Sequence, residues 1–278
     1  MILDAETHLL HPAARRPDFA AGSAEPARKA LHEHPDFEAI APLASREGLL
    51  DSMARAGIKR AVVMGLPWLD PEIQAENNAY IAESVASAPS VFRGLYIPNL
   101  ADPGRAAREI AALDTRIFAG VKLIPGWQGV RLCSPRLAPV IQAVRARNLP
   151  LMVHVGHVHQ DSDPDTPQRL YRFLRHNRDI TVVAAHLGGL LGLYRRLPAV
   201  ENVLARTHFV TSVSSTMYLA GLCAAVHPES LLFGTDFPFN HCHDQITPLE
   251  EMKRLMHLPA EQQEAILWSN AAKLFGFS

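Results

Sequence analysis

The sequence predicts an α/β fold, a (β/α)8 TIM barrel that forms a single domain over residues 1–278. Three observations support it: eight short apolar runs are typical of buried strands, amphipathic segments separate them, and several helix starts combine a capping side chain with proline. Strands that alternate with helices form a parallel sheet, and eight such units close into a barrel. An open doubly wound sheet is the alternative, but no glycine-rich dinucleotide loop follows the first run.

The predicted strands recur along the whole chain. In order, they cover residues 1–5, 60–66, 91–97, 118–124, 149–155, 180–186, 208–213 and 230–236. Residues 46–57 are typical of the segments between them, because Leu49, Leu50, Met53 and Ala56 recur at helical spacing. Four further helix starts place a capping side chain before proline: Asp102-Pro103, Ser134-Pro135, Thr166-Pro167 and Thr247-Pro248.

One connection is far longer than the others. Residues 9–44 separate the first strand from the first helix, whereas ordinary connections rarely exceed ~12–15 residues. In a barrel this connection leaves the carboxyl end of a strand, where active sites lie. We therefore predict a loop insertion that acts as a lid and offers His11 and Arg15 to a substrate anion. The alternative is a surface excursion that pads the rim or meets a neighbouring subunit.

Composition argues against several classes of function. Among 278 residues, 48% are hydrophobic, and 27 basic and 28 acidic residues give a net charge of −1, so no basic surface for nucleic acid or anionic lipid is indicated. No apolar run approaches the ~20 residues of a membrane span, and Asp4 and Glu6 stand where a signal peptide carries Lys or Arg. Three scattered cysteines indicate no disulfide framework. We expect a cytoplasmic protein with a small-molecule substrate and no nucleic-acid or membrane partner; if it self-associates, we expect a homodimer.

The first strand ends in polar residues, which is unusual for a buried strand. In the stretch MILDAETHL, Asp4, Glu6 and His8 are two residues apart, and residues two apart in an extended chain point to the same side. We therefore predict that the three share one polar face. Such a face at the end of a buried strand indicates a site that needs ligands.

Polar residues also end other predicted strands, where a barrel points side chains into its mouth. They are Lys122 on strand 4, His154 on strand 5, His186 on strand 6 and Asp236 on strand 8. Together with strand 1 they supply a nitrogen and oxygen set that suits one divalent ion, Zn²⁺ or Mn²⁺. We predict that Glu6, His8, His154 and Asp236 bind this ion. Each residue alone has a structural alternative, a hydrogen-bonded histidine or a turn-capping acid.

Five short motifs, taken together, resemble the amidohydrolase superfamily. They are DAETH, HVG, AHLGG and FGTDFPF on strands 1, 5, 6 and 8, and NAAKLFGF at 270–277. The resemblance is to the amidohydrolase-2 group, which includes aminocarboxymuconate-semialdehyde decarboxylase and the aromatic acid decarboxylases. It implies a metal-dependent enzyme in which His186 stands just off the metal as a catalytic group, beside Asp236, rather than as an essential ligand.

The sequence departs from the commonest pattern of this group at two positions. Glu6 replaces the first histidine of a His-x-His pair, a variant that is similar to the resorcylate-type and carboxyvanillate-type decarboxylases; a harder oxygen ligand favours Mn²⁺ over Zn²⁺. Ile124 replaces the histidine of Lys-Leu-His-Pro. Two roles for Lys122 stay open, binding a substrate carboxylate or pairing with an acid, and we prefer both to a carbamylated bridge between two metals.

The remaining candidates for the substrate pocket are weaker. His157 follows strand 5, and Trp68 and Trp127 follow strands 2 and 4, where they can wall a planar substrate or belong to the core. Residues 241–244, His-Cys-His-Asp, form either a second metal site or, as we expect, a solvated loop.

We place one function first and keep two alternatives. The first is a metal-dependent hydrolase of a small carboxylate-bearing amide, ester or lactone, in which Asp236 takes the proton of a metal-bound water. The second is a non-oxidative decarboxylase of an aromatic or unsaturated acid, in which Asp236 or His186 protonates the substrate carbon. Glu6 favours the second and chain length the first. The third is a metal-binding protein without catalysis. An aromatic pair and an arginine around the pocket would indicate the decarboxylase.

Overall fold

The predicted (β/α)8 barrel is confirmed by a computed structural model, which describes residues 1–156, 166–194, 197–212, 226–239 and 258–278. In these ranges eight parallel strands follow one another around the sheet in chain order. They are β1 (Leu3–His8), β2 (Arg60–Met64), β3 (Phe92–Tyr96), β4 (Phe118–Leu123), β5 (Leu151–Val153), β6 (Val182–Ala184), β7 (Thr207–Val210) and β8 (Leu231–Leu232). The barrel is nearly closed, because the Ala5 amide donates to the Phe233 carbonyl at 2.8 Å and Thr7 pairs with Phe237.

Helices separate the strands. They are α1 (Pro26–His32), α2 (Phe37–Leu43), α3 (Arg46–Ala56), α4 (Pro71–Ser87), α5 (Pro103–Ala111), α6 (Ala138–Ala146), α7 (Pro167–His176), α8 (Pro198–Leu204), α9 (Ala260–Glu264) and α10 (Asn270–Phe275). None of the helices in the described ranges is both long and apolar enough to cross a membrane.

The predicted helix starts are confirmed in part. α3 covers the helix predicted over 46–57; the Ser45 hydroxyl caps it by accepting from the Gly48 amide at 3.0 Å, and Gly57 ends it with a φ of +73°. Asp102 and Ser134 accept hydrogen bonds from backbone amides at the starts of their helical segments. Thr166 makes no such bond, so Pro167 begins α7 without a side-chain cap, and Thr247 lies outside the described residues.

Alternation along the strands divides the core into two layers. Inside the barrel, Val62, Met152 and Val183 pack with Phe275 of α10. The residues between them pack outward against the helices, in a larger outer layer. Lys122 pairs in register with Met152, an inner residue, so its side chain points into the barrel.

β1 is not a regular strand, because its register with β2 shifts between Asp4 and Thr7. Asp4 pairs with Ala61 of the outer layer, whereas His8 pairs with Met64 of the inner layer. Such a bulge changes the side to which the flanking side chains point. The prediction that Asp4, Glu6 and His8 share one face is therefore wrong. Glu6 and His8 point into the barrel, where Glu6 meets Lys122, and Asp4 points away from it.

Residues 9–44, hereafter the insertion, are not the loop that the sequence predicts. They contain a 3-10 turn (Pro12–Arg15), α1 and α2, and their apolar side chains form a separate cluster with Trp68, Trp127 and Phe239. Glu25 anchors the insertion, because its carboxylate accepts from the amides of Leu69 and Asp70 at 2.8 and 2.7 Å. The insertion is thus a packed helical element, and its function as a lid stays a prediction.

Candidate functional site

The residues predicted at the strand ends come together in the mouth of the barrel. They are Glu6 and His8 on β1, Lys122 on β4, His154 after β5, His186 after β6 and Asp236 after β8. Within the described ranges, one group is arranged to hold a metal ion: Glu6, His186 and Asp236 place ligand atoms within 4.8 Å of one another. The predicted ligand set shares Glu6 and Asp236 with this group but has His8 and His154 in place of His186.

Glu6 is a fully buried carboxylate with a cation beside it. Its Oε1 accepts from Lys122 Nζ at 2.6 Å, and its Oε2 accepts from the Ser212 hydroxyl at 2.6 Å. Burial alone would raise the pKa of Glu6, but the Lys122 ammonium, assisted by His186 and His8, holds that pKa well below its usual range. Of the two roles left open for Lys122, the structure shows pairing with an acid; the side chain is 1% exposed and does not reach out to a substrate carboxylate.

His8 is oriented by a backbone carbonyl. Its Nδ1 lies 2.9 Å from the Gly65 carbonyl, so Nδ1 carries the proton and donates, and Nε2 keeps its lone pair when the ring is neutral. Glycine at residue 65 leaves room for Asn77, because a Cβ there would lie 1.5 Å from the Asn77 amide nitrogen and would displace that side chain. His8 Nε2 lies 3.2 Å from Asp236 Oδ1, about the spacing of two ligands that lie ~2.1 Å from one ion.

His186 and His154 form a second ordered pair. His186 Nδ1 lies 2.7 Å from the Ser212 carbonyl, which can only accept, so this nitrogen donates. In a neutral ring the other nitrogen, Nε2, then accepts from His154 Nδ1 at 3.1 Å. This order of donors leaves the lone pair of His154 on Nε2.

We call Glu6, His8, Lys122, His186, Ser212 and Asp236 the polar floor.

Two members of the polar floor have left-handed backbone, which residues with a Cβ seldom adopt. His186 has a φ of +52° and Asp236 a φ of +59°. Hydrogen bonds to adjacent segments of the barrel support both conformations. The Asp236 amide donates to the Glu6 carbonyl at 2.9 Å, and the His186 amide donates to the Ser212 hydroxyl at 3.3 Å. Such conformations persist only where the surroundings determine them, and they cluster at functional sites.

Three residues support the floor in a way that the sequence did not predict. Ser212 bonds both Glu6 and His186, and nothing in its local sequence indicates this. Asp4 was predicted only to share the polar face of Glu6 and His8, and Thr235 lies inside the motif FGTDFPF but had no predicted role. Asp4 is fully buried and accepts from the Thr235 hydroxyl at 2.5 Å and from the Thr235 amide at 3.0 Å. Burial raises the pKa of Asp4 to about 7 despite these hydrogen bonds.

Aromatic rings flank the site histidines. The Trp127 ring centroid lies 6.5 Å from that of His154, and the Phe239 ring meets His8 edge-on at 5.6 Å. Trp127 and Phe239 are both partly buried and pack on the cluster of the insertion. Trp68 is 1% exposed and lies inside that cluster. Of the two roles predicted for it, it therefore belongs to the core.

Polar atoms buried in the insertion, and in Trp68 that packs on it, lack partners in the described part of the chain. His11 Nε2, Arg15 Nε and Trp68 Nε1 make no hydrogen bond to any described residue. Phe19 links two of these side chains, with ring centroids 5.3 Å from His11 and 5.4 Å from Trp68. Burial also lowers the pKa of His11. His157 and residues 241–244 lie outside the described residues.

The residues of the polar floor fit a divalent ion. The two carboxylates, Glu6 and Asp236, outnumber the one ammonium, Lys122, so the floor has an excess of negative charge when its histidines are neutral. The donor atoms are carboxylate oxygens and imidazole nitrogens, the ligands that Mn²⁺ and Zn²⁺ accept. Both the chemistry of the donor atoms and the negative charge of the floor therefore favour binding of a divalent cation.

Sequence comparison finds one family. The family model described as amidohydrolase matches residues 4–277, nearly the whole chain. A search of curated proteins found no match.

Solved structures share the fold at low sequence identity. The chain is similar to 5-carboxyvanillate decarboxylase LigW from Sphingomonas paucimobilis, with a TM-score of 0.80, 17% identity, and coverage of 100% of this chain and 99% of that one. It is similar to 2,6-dihydroxybenzoate decarboxylase from Rhizobium, with a TM-score of 0.77, 17% identity, and coverage of 99% and 98%. A dihydroxybenzoic acid decarboxylase from Polaromonas sp. JS666, with bound manganese and the inhibitor 2-nitroresorcinol, has a TM-score of 0.77, 16% identity, and coverage of 99% and 96%.

These neighbours contradict the order of functions that the sequence analysis chose. It placed hydrolysis before decarboxylation, whereas the three neighbours are named as decarboxylases of aromatic acids. The preference for a hydrolase rested on chain length, yet this chain aligns with almost the full length of all three.

Proposed function

The chain belongs to the amidohydrolase family, and from that premise we propose that it is a non-oxidative decarboxylase of a planar aromatic or unsaturated carboxylic acid that works with one divalent metal ion. The proposal takes up the second function of the sequence analysis. It is supported by the names of the structural neighbours, which share the fold, and by the chemistry of the site.

One observation carries the proposal: aromatic rings stand beside the histidines of the site. Trp127 lies next to His154 and Phe239 next to His8, and the two rings belong to segments that follow different strands. A flat, conjugated acid gains most from such neighbours, because aromatic rings stack or meet edge-on with a planar π system. A hydrolase site needs room for a water molecule that attacks a trigonal carbonyl carbon, and it has no such requirement.

The polar floor would hold the metal ion. Glu6 and Asp236 would offer oxygens, and His8 and the adjacent His154 would offer nitrogens, while His186 would stand beside the ion. We favour Mn²⁺ because two of these ligands are hard carboxylates. A divalent ion at this position supplies a Lewis acid that binds an oxygen of the substrate and stabilises charge there. The dihydroxybenzoic acid decarboxylase from Polaromonas, which was solved with bound manganese, supports the same choice of metal.

The chain's own residues supply the proton. Decarboxylation adds a proton to the carbon that bears the carboxylate; the bond to CO₂ then breaks and its electron pair returns to the conjugated system. Asp236 and His186 are the candidate donors, because both are partly exposed in the mouth, whereas Glu6 and Lys122 are buried and paired. After the reaction the donor regains its proton from water.

The insertion would bind the substrate. His11 and Arg15 bury nitrogen atoms that have no partner in the described part of the chain, and such atoms are costly unless something accepts from them. A carboxylate or phenol oxygen of the substrate is an acceptor of the right kind. Lys122 is excluded from this role by its ion pair with Glu6.

The experiment uses metal-stripped protein reloaded separately with Mn²⁺ and Zn²⁺. A panel of hydroxybenzoates and conjugated acids is assayed for released CO₂ in D₂O, beside a panel of lactones and amides assayed for released acid. We expect CO₂ from a planar acid and one deuterium on the carbon that lost the carboxylate.

The controls separate the site from the scaffold. Asp236→Asn should abolish CO₂ release, and Asp114→Asn, the same change on the surface, should not. Acid release from a lactone or amide, with no CO₂ from any conjugated acid, would contradict the proposal.

A further inference from the structure

We propose that Asp4 is a positioning residue, which sets Asp236 and Glu6 for metal binding from outside the mouth of the barrel. The inference deepens the proposed function and rests on it only for the identity of the bound group. Asp4 cannot touch a substrate, because the bulge in β1 turns it to the outer side and its side chain is fully buried.

The Asp4 carboxylate joins two strands that the barrel must bring together. Its Oδ2 accepts from the Thr235 hydroxyl at 2.5 Å, and its Oδ1 accepts from the amides of Thr235 and Glu6 at 3.0 and 3.1 Å. All three partners donate, so the group acts as an acceptor. One carboxylate therefore ties the backbone of Glu6 to the residue before Asp236.

Thr235 transmits this contact to Asp236. Its hydroxyl oxygen also accepts from the Phe237 amide at 3.1 Å, so the side chain bonds on both sides of Asp236. Asp236 has a φ of +59°, a conformation that needs support in a residue with a Cβ. Without the Asp4 contact, the Thr235 hydroxyl would lose an acceptor that orients it, and the backbone of Asp236 would lose part of that support.

A purely structural role for Asp4 is the rival explanation, so the test separates metal affinity from stability. Asn78 is the matched control, since it is a buried side chain that also bonds backbone, at Ile97 O (2.8 Å) and Ile97 N (3.3 Å), away from the polar floor. Its removal should lower stability and leave the metal site intact.

The experiment titrates metal-free full-length protein with Mn²⁺, followed by electron paramagnetic resonance, with the melting temperature of each variant recorded in parallel. We expect Asp4→Asn and Thr235→Val to weaken Mn²⁺ binding ~10- to 100-fold, the usual effect of losing a residue that orients a ligand. Thr235→Ser, which keeps the hydroxyl, should restore wild-type affinity. Asn78→Ala should melt earlier and bind Mn²⁺ like the wild type.

The outcomes distinguish this inference from the proposed reaction. If Thr235→Val binds Mn²⁺ as tightly as Asn78→Ala does, the positioning role is wrong, whatever the wild type catalyses. If the variants weaken Mn²⁺ binding as expected and the wild type releases no CO₂, the positioning role stands and the proposed reaction is wrong.

Discussion

The polar floor and the insertion meet at Phe239, whose ring lies 5.6 Å from His8 and 6.2 Å from His34, yet different forces build them. In the floor, buried charged and polar groups pair at short distances, as Glu6 does with Lys122 and Ser212. In the insertion, apolar side chains such as Leu31 and Ile40 pack into a cluster. Polar atoms there, such as His11 Nε2, lack partners among the described residues.

This difference predicts how each region responds to substitution. A paired charge in a buried site depends on one partner, so its loss is abrupt. Apolar packing is shared among many neighbours, so its loss is graded with the volume removed. We therefore expect large, specific effects from substitutions in the floor and smaller effects on stability alone from conservative substitutions in the insertion.

The largest effect should follow removal of the cation in the floor. Lys122→Met leaves the Glu6 charge buried without its partner, which should lower the free energy of unfolding by ~3–5 kcal/mol in urea titrations. The double variant Glu6→Gln, Lys122→Met carries no buried charge at this pair and should recover most of the loss. If the free energy of unfolding of the single variant fell by less than ~1 kcal/mol, the pair would be accessible to water and not buried.

The next effect concerns turnover. His186→Asn should lower kcat ~100-fold, the scale of a positioned acid–base group, while the protein keeps its Mn²⁺. His176→Asn, the same change at an exposed histidine, serves as the control. Loss of the metal together with the His186 side chain would make it a primary ligand, as its place in the Glu6–His186–Asp236 group allows.

A smaller effect should distinguish the insertion from the floor. Ile40→Val removes one methyl group from the apolar cluster and should lower the free energy of unfolding by ~1 kcal/mol. The affinity for Mn²⁺ should not change. If Mn²⁺ binding fell with stability, the contrast between the two regions would fail, because packing in the insertion would then help to shape the site.

The smallest effect concerns pH. Burial holds the pKa of His11 below its ordinary value of 6.5, so below that pH the unfolded chain binds a proton that the folded chain resists. The His11 contribution to stability should therefore fall as pH falls from 6.5 through the lowered pKa, whereas Asp4, whose raised pKa acts in the opposite sense, contributes equally to the wild type and the variant. His11→Phe should reduce this slope in urea titrations at several pH values. His208, whose pKa burial also lowers, accounts for a remaining slope. If the slope did not change, the burial of His11 would not be what resists protonation in the folded protein.

Local pattern was sufficient to place most of the barrel. The strand predicted over 60–66 is β2 at Arg60–Met64, and the helix over 46–57 is α3 at Arg46–Ala56, because apolar periodicity and caps are local properties. The strand predicted over 230–236 is only Leu231–Leu232. Its apolar residues continue, but the backbone turns toward the left-handed Asp236, and periodicity carries no information about that turn.

The sequence by itself determined which chemistry-bearing residues end the strands: Glu6, His154, His186 and Asp236 could be named from their positions after apolar runs. Only the tertiary structure decided which of their neighbours they use. It set the bulge that separates Asp4 from Glu6, the pairing of Lys122 with Glu6, and the contact of Ser212 with both Glu6 and His186. The physical reason is range: strand alternation holds only while the register is regular, and register depends on a partner strand more than fifty residues away, such as Arg60 opposite Leu3.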